Sequence, residues 1–201
     1  MRPSRKLLVF TLAYLIFLAV LALFLDRAVS FDERLFSAVY GLGNPSLEVF
    51  FSIITNLGST IFWIIVIILF WLKGKKEISL RLFFVLILDA ISITILKWTF
   101  LRPRPFGNFQ GGIDLDLGPS FPSGHSQTVF SGAVVLSHYY KKYSALFYLL
   151  AVLTALSRIF LGLHYPLDVL VGAINGIIVG WSVLLIPNKK IEKIKASVHK
   201  I

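Results

Sequence analysis

An all-α bundle of membrane-spanning helices is the fold class this chain predicts, on three observations. Hydrophobic residues make up 57% of its 201 residues and charged residues 15%. The mean hydropathy is +0.82. The apolar residues also collect in long runs separated by short polar breaks. A soluble domain carries about 25% charged residues, and a spanning helix needs about 20 predominantly apolar ones. The runs cover 7–25, 47–72, 78–98, 125–140, 144–163 and 166–186, which gives a polytopic bundle of six transmembrane helices in a single domain over 1–201. The fourth run is short and polar at its start, and counts as a span mainly because an even total puts both basic termini on one side.

Arg2, Arg5 and Lys6 precede the first run as in a signal peptide, but the run is longer than the usual apolar core and lacks a small-residue cleavage pattern, so it reads as a retained anchor. Beyond it, Phe31, Leu35, Phe36 and Val39 recur at near-helical spacing beside Asp32, Glu33 and Arg34, which suits a short helix lying in the outer interface or an ordinary connecting loop. In the third run Asp89 is an ionisable group at mid-membrane depth, roughly 12 Å along the helix from Lys97. That depth favours an interhelical hydrogen bond over a proton relay. The segment 107–120 has four Gly with Asp114 and Asp116 and no periodicity, and reads as a mobile outer loop. His138 and His199 fall at or beyond the cytoplasmic ends, as solvated residues.

The net charge of +10 does not imply a nucleic-acid partner, because the cations lie between spans rather than on one soluble face. With the N-terminus cytoplasmic, the inside segments hold Arg2, Arg5, Lys6, Lys73, Lys75, Lys76, Arg81, Lys141, Lys142, Lys189, Lys190, Lys193, Lys195 and Lys200, fourteen of the 20 basic residues. The positive-inside rule then places both termini in the cytoplasm. Lys97, Arg102, Arg104 and Arg158 crowd at the outer ends of the third and fifth helices, where cations need another reason. With no Cys, there is neither a disulfide framework nor a thiolate metal site.

Three polar groups fall on that outer face: Lys97 with Arg104-Pro105, then Pro122-Ser123-Gly124-His125, then Ser157-Arg158 with His164 and Asp168. Cations, two His and a carboxylate at the membrane–water boundary are what phosphoryl transfer needs, since that chemistry rests on positioning and charge stabilisation. The second group opens a helix, with Ser123 as N-cap and Gly124 allowing close backbone approach. Its free N–H groups form a cradle for an anion, although a plain capping turn has the same composition. His164 and Asp168 are four apart, and Pro166 suits a first helical turn that brings the carboxylate to the imidazole. Asp168 would then hold one ring nitrogen protonated and leave the other to attack phosphorus; the alternative is a hydrogen-bonded interfacial His.

The three groups together resemble the phosphatidic acid phosphatase type 2 superfamily, whose signature is K-x6-R-P, P-S-G-H and S-R-x5-H-x3-D. Every position is matched, from Lys97 to Asp168. The resemblance implies that His164 attacks phosphorus and forms a covalent phosphohistidine, that Asp168 supports it, and that His125 protonates the leaving oxygen and later helps activate water. It implies that Lys97, Arg104 and Arg158, with backbone N–H groups around Ser123 and Gly124, neutralise the phosphoryl oxygens, and that no metal or other cofactor takes part. Ser157 would be a positioning group. Only family spacing selects Arg104 over Arg102 in Arg102-Pro103-Arg104-Pro105; Arg102 is left as a headgroup-facing cation or a contact to a second phosphate.

The implied activity is that of an integral membrane lipid phosphatase, multi-pass in the cell membrane, with its site on the extracytoplasmic face and a membrane lipid as partner. Outer-leaflet access favours a polyprenyl (undecaprenyl-type) diphosphate, with phosphatidate or phosphatidylglycerophosphate as alternatives. The motifs read phosphate and leave the lipid open, and a lipid phosphotransferase would share them. A membrane transporter or scaffold would account for the spans and Asp89, but not for the motifs. Soluble vanadium-dependent haloperoxidases share the anion site, but the continuous apolar spans argue against that activity. Nothing in the pattern specifies an oligomeric state.

Overall fold

The computed structural model describes residues 5–106, 118–187 and 191. The segment 107–117 lies outside them, as do Arg2, Lys189, Lys190, Lys193, Lys195, His199 and Lys200. The described residues form helices α1 (Arg5–Tyr40), α2 (Pro45–Ile54), α3 (Thr60–Leu72), α4 (Lys76–Phe100), α5 (Gly124–Tyr139), α6 (Ser144–Phe160) and α7 (Pro166–Leu184), with 3-10 turns at Thr55–Gly58 and Lys141–Tyr143. The chain is all-helical over these residues, with no strand among them.

The separate interfacial helix expected near residues 31–39 does not exist. No Gly or Pro interrupts the chain between Arg5 and Gly41, so α1 continues unbroken for 36 residues, about 54 Å against a hydrocarbon core of about 30 Å. Asp32, Phe36 and Val39 turn inward, whereas Phe31 and Leu35 stay exposed.

The run 47–72 is broken as well. Asn56 Nδ2 donates back to Ser52 O at 2.9 Å and Ile53 O at 3.2 Å, and Ser59 Oγ caps α3 by accepting from Phe62 N at 3.2 Å. A Gly-Ser pair is a common kink site, and here the two halves bend by 53°. Among the described residues Lys76–Phe100, Lys141–Phe160 and Pro166–Leu184 are each long and apolar enough to cross a membrane, and the bent pair is a fourth if counted as one span. At 16 residues, about 24 Å, α5 is short, and it lies at the centre of the bundle against α4, α6 and α7.

Trp63, Leu82, Val85, Val129, Val135 and Val183 build the main core. Along α7, Gly172, Gly176 and Gly180 recur every fourth residue, and a Cβ on each would strike the Ser123, Gln127 and Ser131 carbonyls of the α5 region. Small residues at such spacing let two backbones approach closely. Buried polar groups tie the centre together: Asp89 accepts from Gln127 Nε2 at 2.7 Å and Ser131 Oγ at 2.6 Å, while Asn175 Nδ2 donates to Gln127 Oε1 at 2.6 Å. Asp89 thus holds α4 to α5. Arg81, counted among the cytoplasmic cations, is buried and donates to Val183 O at 2.7 Å and Ile186 O at 3.2 Å, where it meets the negative end of α7. His138 is exposed.

Candidate active site

Each site residue stands at the end of a helix, placed there by a local device. α4 ends at Leu101, a non-Gly residue in the left-handed region (φ 47°), which turns the chain inward at Arg102. α5 starts at Ser123, whose side chain accepts from Ser126 N at 3.4 Å. α6 ends at Gly162 (φ +71°), where a Cβ would stand 2.7 Å from Phe106 Cδ2. That reversal lets Leu163 N and His164 N both donate to Arg158 O, at 3.0 and 3.1 Å. α7 starts with Pro166 after an extended Tyr165, and Asp168 Oδ2 accepts from Tyr165 N at 2.9 Å.

These ends are hydrogen-bonded to one another. Arg104 Nη1 donates to Leu163 O at 3.1 Å, beside His164, and its Nε donates to Gly118 O at 3.1 Å. Lys97 Nζ donates to Pro119 O at 2.5 Å, and Ser120 N donates to Arg102 O at 2.7 Å. Ser123 N donates to Asp168 O at 2.9 Å. The first group is therefore tied to the third and to residues 118–120 just before the second, and the second is tied to the third. Lys97, Ser123, Arg158, His164 and Asp168 are all buried; His125 and Gly124 are partly buried. Ser157 donates to Thr154 O at 2.6 Å, a bond internal to α6.

His164 Nδ1 lies 3.6 Å from Asp168 Oδ2, beyond hydrogen-bond reach. Ser120 fills the gap: its hydroxyl donates to Asp168 Oδ2 and stands 3.4 Å from His164 Nδ1. Since that hydroxyl hydrogen is engaged, an Nδ1–H of the ring would point at the Ser120 oxygen, which leaves Nε2 as the lone-pair nitrogen.

Arg102 takes neither place offered for it. Its side chain is 6% exposed, with Nη1 2.7 Å from Asp168 Oδ1 and Nη2 2.7 Å from Asp32 Oδ2. The guanidinium also stacks over the Tyr165 ring at 4.1 Å. It faces no headgroup, and both forks are already committed to carboxylates. Asp32 Oδ1 accepts from Leu167 N at 2.8 Å, so α1 caps the first turn of α7. Burial pushes the Asp32 carboxyl up from its ordinary value, with Arg102 pulling in the opposite direction.

Sequence reasoning missed Thr55, Gly58, Ser120 and Asp32. Thr55 Oγ1 accepts from Arg158 Nη1 at 2.9 Å, and Gly58 packs against His125. A signal existed for Asp32: with Phe36 and Val39 it forms an i, i+4, i+7 stripe, the pattern of a buried helix face. For Gly58 the signal was a Gly-Ser pair inside an apolar run too long for one straight span. Ser120 carried none.

The family model described as the PAP2 superfamily matches residues 78–192. An undecaprenyl-diphosphatase of Sulfolobus acidocaldarius is 27% identical over 177 residues, covering 84% of this chain and 86% of the relative. The crystal structure of Aquifex aeolicus LpxE is similar with a TM-score of 0.66 at 34% identity, over 75% of this chain and 93% of that one. The first transmembrane PAP2-type phosphatidylglycerolphosphate phosphatase from Bacillus subtilis gives a TM-score of 0.73 at 26% identity, over 89% of this chain and 94% of that one.

Proposed function

The chain belongs to the PAP2 superfamily and is a membrane lipid phosphatase, and from that premise we propose that it hydrolyses a polyprenyl diphosphate on the outer leaflet through a phosphohistidine on His164. The observation that carries the chemistry is the hydrogen-bonded closure of the three polar groups around the His164–Asp168 turn, above all Arg104 to Leu163 O and Ser123 N to Asp168 O. In this reading His164 Nε2 attacks phosphorus as the bond to the leaving lipid oxygen breaks, and His125 gives that oxygen a proton. Water then attacks the phosphohistidine, His125 takes its proton, and the P–N bond breaks to release phosphate. Lys97, Arg104, Arg158 and the N–H groups opening α5 at Ser123 and Gly124 hold the phosphoryl oxygens, and no metal is needed.

The proposed topology has six spans, with α1, the bent α2–α3 pair and α4 to α7 as the crossings, both termini cytoplasmic and the site outside. It is supported by the charge asymmetry of the connecting segments. A polyprenyl carrier is favoured by the Sulfolobus relative, whose name gives undecaprenyl diphosphate as substrate. A monoester lipid is the second reading, favoured by the Bacillus relative and by the engagement of Arg102, which leaves Lys97, Arg104 and Arg158 as the cations for a single phosphate.

Phosphate release by detergent-purified protein, with chelator present, from polyprenyl diphosphate, phosphatidate and phosphatidylglycerophosphate tests activity, substrate and metal independence together. Polyprenyl diphosphate is expected to be turned over fastest. A phosphoenzyme should be trapped from wild type and not from His164→Ala; turnover undiminished in that variant would overturn the nucleophile. Adding a second lipid as acceptor separates hydrolysis from phosphotransfer.

A further inference from the structure

We propose that Arg102 and Asp32 are positioning residues that set the negative charge Asp168 presents to His164, an inference that rests on His164 being the nucleophile. Asp168 Oδ1 is held by Arg102 at 2.7 Å, and the same guanidinium is shared with Asp32 at 2.7 Å. All three side chains are buried. Removing three charges from water is costly, and a staple between α1 and α7 could be made from apolar residues at no such cost. Arg102 is also fixed at its backbone, where its carbonyl accepts from Ser120 N, the residue bridging Asp168 and His164. The left-handed Leu101 before it aims the side chain at this place, a conformation that a non-Gly residue keeps only where the surrounding structure holds it.

The charges decide what the arrangement does. Asp32, Arg102 and Asp168 together carry one net negative charge beside the imidazole. With Asp32 neutral, Arg102 pairs with Asp168 alone and the sum is zero, so an imidazolium beside it is less stabilised. With Arg102 neutral, two negative charges remain and imidazolium is more stabilised. With both neutral, the net charge of the wild type returns. Among the described residues the other titratable or charged groups around this turn are Lys97 on α4, Arg104 after it, His125 opening α5, Arg158 ending α6, and Tyr165 with Glu33 of α1 near it, and none of these is substituted in the comparison.

The test is the acid limb of kcat/KM against pH, which reports the protonation of His164 in the free enzyme. Asp32→Asn keeps an oxygen for Leu167 N, so the cap on α7 survives while the charge goes. It is expected to move the acid limb down by roughly half a unit or more, Arg102→Gln to move it up, and the double variant to return it close to wild type. The kcat of Asp32→Asn should fall while KM changes little, because the charge acts on the imidazolium formed in the reaction and touches no phosphate. Limbs that stay in place, or that move the same way in both single variants, would show a merely structural staple and overturn the inference. Should Arg102→Gln fail to fold, Asp32→Asn and Asp32→Glu decide: the first must move the limb and the second restore it. His164→Ala, run alongside, keeps the two readings apart, since its loss of turnover tests the nucleophile and the limb shifts test the charge.

Discussion

Gly58 and His125 meet so closely that a Cβ on residue 58 would stand 2.8 Å from His125 Cβ and 3.0 Å from its Cδ2, with Thr154 Cγ2 closing the other side at 2.9 Å. The kink between α2 and α3 thus forms the wall against which the proposed general acid rests. His125 Cβ is fixed by the first turn of α5, so an added methyl must displace the ring or the kink, and overpacking of this kind costs about 1–3 kcal/mol. His125→Ala should lose about 10²–10⁴-fold on an alkyl phosphate and less on an activated aryl phosphate, whose leaving group needs no proton. Gly58→Ala should lose activity with the same preference. If it lowers both substrates equally, Gly58 supports the bundle and not the acid.

A second contact from the same kink gives an independent test. Thr55 Oγ1 accepts from Arg158 Nη1 at 2.9 Å, on the guanidinium proposed to hold the phosphoryl oxygens, where the position of a rigid fork matters. Thr55→Val removes the acceptor at nearly constant volume and should lower kcat/KM on the order of tenfold, the effect of one hydrogen bond to a charged group. Thr55→Ser should restore most of it. Steady-state kinetics in detergent suffices, and a Thr55→Val enzyme indistinguishable from wild type would remove the kink from the phosphate site.

The residues readable from sequence were those whose chemistry imposes a type at a fixed local spacing. His164 and Asp168 lie one helical turn apart with Pro166 between them, and Ser123 opens α5 with its hydroxyl on Ser126 N. Both follow from capping and turn geometry, which act over a few residues. Arg102 could not be placed that way, because its partners are Asp32 on α1 and Asp168 on α7, and only the assembled bundle brings them to one guanidinium. Ser120 and Thr55 are small hydroxyl residues common in any loop or kink, and their meaning comes from His164 and Arg158 beside them. The unbroken α1 is a different kind of miss. The polar composition of its second half suggests a change of element, whereas the absence of Gly and Pro before Gly41 favours continuation.

Asp89 separates a structural carboxyl from a catalytic one. It accepts from Gln127 Nε2 and Ser131 Oγ in the centre of the bundle, at 2.7 and 2.6 Å. In Asp89→Asn the amide oxygen still accepts from Gln127, and the Ser131 hydroxyl can turn to accept from the new amide nitrogen. That variant should keep most of its activity and thermal stability. Asp89→Leu takes away the charged acceptor and leaves Gln127 Nε2 on Ser92 Oγ at 2.7 Å and Ser131 Oγ on Thr128 O at 3.0 Å, so it should cost about 1–3 kcal/mol in all, seen as a lowered Tm in detergent. A large loss of turnover in a fully stable Asp89→Asn protein would bring the proton-relay reading back.

Sidedness decides which leaflet supplies the substrate. The termini and connecting segments proposed as cytoplasmic hold fourteen of the 20 basic residues, and all three polar groups fall opposite them. Leu42, in the turn after α1, is 66% exposed on the proposed outer side, and Lys73, at the end of α3, is exposed on the proposed inner side. The native chain has no Cys, so one introduced at either position is the single reactive thiol. A membrane-impermeant maleimide should label Leu42→Cys in intact cells and reach Lys73→Cys only after the membrane is opened. Since Asp32, in the part of α1 that leads to Leu42, accepts from Leu167 N in the first turn of α7, the label on Leu42→Cys also reports the face of His164. Labelling of Lys73→Cys first would invert the topology, put His164 in the cytoplasmic leaflet, and move the search for substrate to phospholipids presented there.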